Sequence, residues 1–250
     1  RDGRMYVANR WNIWKKSRDA QGDVIPMQKR LEGEIVYHTN VDFPVDSDIW
    51  DGTNKLVEDW DKSFRKTVLS RRQLENPAAT LDSINPIFVL KENSCTVQKA
   101  TSYATAHKHQ DTLSSYGITE IVKGNLKRAC AVLEHVSKGD FTWEKTADLR
   151  HSFFHWVDTP QNGPLGYGPS SADPISGELI SANANIYGAS IDRLSAYAAD
   201  IVELMNNDID MANMVSGTHV REHMKSHRFN TDIPDAQARH AGFDLEKMER

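Results

Sequence analysis

The feature that most constrains this chain is the stretch "FPVDSDIWDGTNKLVEDWDKSFRKTVLSRR". In it Ile49, Trp50, Leu56, Val57, Trp60, Phe64 and Val68 recur at spacings of three and four. That period gathers them into one stripe of an amphipathic helix, and Ser47 or Asp46 stands ahead of it as a cap. A helix of this kind must lay its stripe against another layer of structure. Candidates lie on both sides: "GEIVYHTN" upstream and "INPIFVLKE" downstream are short, apolar and rich in β-branched or aromatic residues, as strands are. Trp50, Trp60 and Phe64 are therefore expected in the core.

Elsewhere the pattern is uneven. The segment "MYVANRWNIWKKSRDAQGDVIPMQKR" reads as irregular structure wrapped on something else. Residues 93–147 read as an insertion or lid-like excursion. "NSCTVQKATSYATAHKHQ" is polar and weakly patterned, and helical spacing follows through Ile121, Leu126, Ala129, Val132 and Leu133. "DLRHSFFHWVD" alternates as a strand, with Arg150, Ser152, Phe154 and Trp156 opposed to His151, Phe153, His155 and Val157. Next, "GPLGYGPSSADPISGELISANANIYG" concentrates glycine and proline, which marks a loop whose backbone path matters more than its side chains. Within it "ADPISGE" is turn chemistry with Gly177 able to take positive φ. "ELISANANIYG" returns as a strand whose polar face, Ser181, Asn183, Asn185 and Tyr187, is placed to line a cleft.

A helix burying Ile191, Leu194, Tyr197, Ala198, Ile201, Val202 and Met205 follows, and "MANMVSGTHVREHMKSHRF" suggests one or two more short helices. The order of elements predicts an α+β fold, α/β-like, with a mixed twisted sheet and packed helices. The parts are 1–92 (strand, long helix, strand), the 93–147 excursion, 148–206 (sheet, hairpin and helix) and a helical extension, 207–250.

Composition removes several function classes. A net charge of −5 gives no electrostatic case for nucleic acid, and no run of about 18 apolar residues is present to span a membrane. Cys95 and Cys130 lack CxxC spacing and are compatible with a disulfide or with two free thiols. The chain opens on Arg1 and closes on "DLEKMER", and both ends read as cut from something longer. "GYGPSS" has neither the lysine of a phosphate loop nor a third glycine, and no G-x-S-x-G elbow occurs.

The strand "DLRHSFFHWVD", the loop "GPLGYGPSSADPISGE" and the strand after it resemble the segment ahead of the catalytic helix in secreted bacterial zinc metalloproteases of the metzincin-like kind. "NRWNIWKK" and the helix around "VEDWDKSF" resemble that family too, so the likeness spans roughly residues 5–205. The resemblance implies a metzincin-like N-terminal subdomain of a zinc-dependent endopeptidase, acting on peptide or protein substrates, outside the cell or in the envelope (periplasm or outer-membrane lipoprotein). It places the strand at 150–157 and the 163–188 hairpin on the cleft rim, with Gly166, Tyr167, Gly168 and Pro169 as substrate-binding residues.

The family's chemistry requires H-E-x-x-H, two imidazoles one helical turn apart on zinc and a glutamate as general base. That motif does not occur in this sequence. The nearest approach, "HMKSH", has His223 and His227 at the right spacing, but Met224 stands in place of the glutamate. No catalytic or metal-ligating residue is therefore assigned. Zinc would belong to the parent protein with its ligands outside this chain, and the chain alone is expected to be inactive. His107 and His109, read as one side of a strand, are expected at the surface. His151 and His155 are too far apart along an extended strand to share one ion, and are expected to pack or hydrogen-bond to neighbours. The alternative function is a non-catalytic peptide- or protein-binding domain on the same scaffold.

Overall fold

The computed structural model describes residues 6–45, 47–159 and 164–218. The chain forms two compact units, Arg1–Ser190 and Ile191–Arg250. The elements of the first unit are β1 (Ile35–Thr39), α1 (Asp48–Gln73), β2 (Phe88–Lys91), α2 (Val97–Ala106), α3 (Gln110–Ser115), α4 (Leu126–Val136), β3 (Ser152–Val157), β4 (Gly166–Tyr167), β5 (Ser170–Ala172) and β6 (Leu179–Tyr187). The fold is α+β around one six-stranded mixed sheet, in the order β2-β1-β3-β6-β4 with β5 also on β6. β1, β2, β3 and β6 run parallel, and β4 and β5 run antiparallel to β6. β3 is paired on both sides, by β1 and β6, so the strand expected at the cleft rim with the hairpin offers no free edge.

α1 lies against β2, and hydrogen bonds fix its placement. Asp61 Oδ1 accepts from the amides of Ile87 at 2.7 Å and Phe88 at 3.1 Å, satisfying two main-chain donors at the start of β2. The expected stripe is only partly right. Val57 and Val68 are buried with Thr53 and Arg72, whereas Trp60 is 52% exposed and Leu56 45%. Helical spacing identifies a face but not how much of it is covered. Here α1 covers the β2 side of the sheet, and its flank toward β6 stays open. Trp60 still stacks loosely with Phe64 and Phe88, ring centroids 6.2 Å from each.

The N-terminal segment does wrap the sheet and α1. Buried Arg72 pairs with buried Glu32 at 2.7 Å and donates to the carbonyls of Met27 and Arg30. Arg10 exchanges main-chain bonds of 2.9 Å with Gly177 and Leu179. Gly177 has φ +72° at the β5–β6 turn, as its sequence context predicts, and a side chain there would run into the carbonyl of Ala8. Across the sheet, Asn40 clasps β3: its Oδ1 accepts from Trp156 N at 2.8 Å and its Nδ2 donates to Trp156 O at 3.1 Å.

Residues 93–147 form a helical layer with its own core of Ala100, Ala104, Leu113, Leu133 and Phe141, stapled by a Cys95–Cys130 disulfide. The polar stretch before residue 110 is mostly helix α2, and His107 caps its C-terminus instead of lying on a strand. Small alanines supply the buried face of α2, which is why the apolar pattern is faint.

In the second unit, the remainder of α5 (Gly188–Met205) precedes α6 (Met211–Ser216). Of its expected buried stripe, Leu194, Tyr197, Ile201, Val202 and Met205 are exposed among the described residues. The described part of this unit offers only the six-residue α6 as cover. Among the described residues no helix is long and apolar enough to cross a membrane.

Candidate functional site

The candidate site is the outer edge of the sheet, built by the stretch whose glycines and prolines mark a backbone-controlled loop. Residues 165–171 run antiparallel beside β6. Gly166 pairs with Ile186, Tyr167 with Asn185 and Ser170 with Ala182. The carbonyls of Leu165 and Pro169 accept from the amides of Tyr187 at 3.0 Å and Asn183 at 2.9 Å. In an antiparallel ladder, bonded and non-bonded pairs alternate, so Leu165, Tyr167 and Pro169 turn their main-chain groups inward to β6. Gly166, Gly168 and Ser170 turn theirs outward. Among the described residues no strand pairs with that outer side.

The four residues singled out in the sequence therefore split by role. Gly166 and Gly168 are exposed and present outward N–H and C=O groups; neither has a positive φ. A Cβ on Gly166 would lie 3.0 Å from Asn185 O, tighter than ordinary contact, so a side chain there would press on β6. A Cβ on Gly168 would lie 3.5 Å from Asn183 O, an ordinary contact, so nothing within the fold requires glycine there. Tyr167 is exposed on the opposite face, and Pro169 is half-buried and anchors the hairpin. Ser170, overlooked in the sequence reading, belongs to the outward set; its place two residues after Gly168 was the available signal.

Beside this edge, on the face carrying α1, lies an apolar pocket of about 290 Å³ whose lining includes Trp11, Leu56, Trp60, Phe64, Phe154 and Gly168. Tyr37 also borders it, and burial pushes the Tyr37 hydroxyl up to about 12, so it stays protonated at any working pH. Near this edge the opposite face of the sheet is polar, with Asn183, Asn185 and His155 on it. There Asn185 and His155 join side chains at 3.0 Å, as expected of a histidine satisfied by a neighbour. His38 and His151 meet edge to face with centroids 5.2 Å apart, and His38 Nδ1 lies 4.0 Å from Glu144.

Among the described residues no group of three or more His, Cys, Asp or Glu side chains is arranged to hold a metal ion. His223, Met224 and His227 lie outside the described residues. The described side chains thus do not fit a zinc centre, and what the edge presents is the outward row of main-chain groups at Gly166, Gly168 and Ser170. Comparison with protein-family models, curated proteins and solved structures returned no match.

Proposed function

We propose that this chain supplies the sheet and the substrate-holding edge of a zinc-dependent metalloendopeptidase, with the zinc ligands on chain outside these residues. The observation that carries the reading is the outward row of main-chain donors and acceptors at Gly166, Gly168 and Ser170. An unpaired edge of this kind binds an extended peptide as an added strand, and main-chain pairing suits a protease that must hold many sequences straight. The resemblance of 148–190 to metzincin-like proteases supplies the catalytic half of the proposal. The Cys95–Cys130 disulfide supports an extracellular or envelope location, where oxidising conditions preserve such bonds.

A second reading, a non-catalytic peptide-binding domain, uses the same edge and is favoured by the lack of a described metal-ligand set. Two experiments decide. A capped heptapeptide should bind the chain, and its counterpart N-methylated at alternate residues should bind at least tenfold more weakly; equal binding would remove the edge from the account. The chain itself should cleave nothing with or without zinc. A longer natural product carrying H-E-x-x-H should cleave unfolded protein in a chelator-sensitive way, and inactivity of that product would favour the binding domain.

A further inference from the structure

Resting on the edge reading above, we infer that the site selects peptides with a large apolar side chain, aromatic or leucine-like, at the residue paired with Gly168. The argument begins with facing. Residues paired across a ladder point to the same side of a sheet. Gly168 lies opposite Ala184 in the register continued from the Gly166–Ile186 and Ser170–Ala182 pairs, and Ala184 pairs with Phe154. Phe154 packs on Tyr37, and Tyr37 on Phe88, which stacks on Phe64 of α1, so this row faces α1. A peptide residue paired with Gly168 sends its side chain to that same face.

Among the described residues, the apolar pocket reaches Gly168 itself. Gly168 has no side chain, itself lines the pocket, and is followed inward by the small Ala184 and Ala182. Any larger residue at 168 would screen the opening. The pocket floor is buried at Tyr37, Phe88 and Phe154, while Leu56 and Trp60 at its side are apolar yet about half exposed, an arrangement that gains from covering by another apolar group. The pocket therefore continues the edge: the main chain is held by Gly166, Gly168 and Ser170, and one side chain is read from Gly168.

The test uses the whole chain and three dye-labelled, capped heptapeptides differing only at the central residue, Phe, Ala or Asp, measured by fluorescence polarisation. The Phe peptide is expected to bind at least tenfold more tightly than the Ala peptide, and the Asp peptide most weakly. Gly168→Leu, which places a side chain over the opening, should erase the Phe preference, so that the Phe and Ala peptides bind within about threefold of each other. Should Gly168→Leu fail to fold, Leu56→Glu, at an exposed helix position, should erase the same preference. Equal binding of Phe and Ala peptides would overturn the pocket while the edge reading stands. Binding of none of the peptides would overturn both.

Discussion

His38 shows how much of this protein is decided by residues distant in sequence. Its ring lies on β1, with Glu144 approaching from the loop after α4, His151 from the residue before β3 and Lys91 from the end of β2. Burial pushes its pKa down; Glu144 partly offsets this, and His151 and Lys91 push it further down. Burial alone would raise Glu144, but the hydrogen bonds from Ser94, including its amide at 2.7 Å, outweigh that and hold it below the usual carboxylate value. With the folded pKa of His38 below its unfolded value, the unfolded chain takes up its proton first. Falling pH then favours unfolding from about 6.5 downward until the folded site also protonates. The contribution of Glu144 is present above its unfolded pKa and is lost at lower pH, as the medium passes through its folded value. Urea unfolding at pH 7.0 and 5.5 should show wild type losing stability over this interval and His38→Gln losing less. An identical slope in the variant would mean His38 is not the responsible group. None of this was legible in the sequence, because the four charges come from separate segments.

At the scale of elements, legibility followed the strength of the apolar pattern. α1, β1, β3 and β6 lie where spacing and alternation place them: the first three carry large apolar residues on a defined face, and β6 alternates Ile180, Ala182, Ala184 and Ile186 with polar residues. α2 was obscured because alanine, not leucine, forms its buried side, and Trp60 was misjudged because periodicity does not say which flank of a helix is covered. The glycines divide in the same way. A Cβ on Gly188 would collide with the Trp156 ring, joining the end of β6 to β3, whereas one on Gly168 meets only an ordinary contact. Gly188→Ala should therefore cost about 1–3 kcal/mol, the usual penalty of overpacking, and Gly168→Ala should stay within about 0.5 kcal/mol. Chemical denaturation of both variants checks this. Comparable losses in the two would contradict the distinction between a glycine needed for packing and one left open at the edge.

For the whole molecule, the sheet order is what turns a loop rich in glycine and proline into a candidate site. Alternation alone did not reveal that β3 is central, and 165–171 read as a loop rather than a border strand, since pairing partners are set by crossovers. Gly166, Tyr167, Gly168 and Pro169 lie along that border. The account's central claim is that this border pairs with an extended peptide. The most direct measurement is amide hydrogen exchange at Gly166, Gly168 and Ser170, read by NMR with and without a saturating capped heptapeptide. The account predicts that exchange at these three outward amides slows at least tenfold on binding, while the inward amide of Tyr167, already bonded to β6, changes little. Unchanged exchange at all three with peptide bound would contradict it.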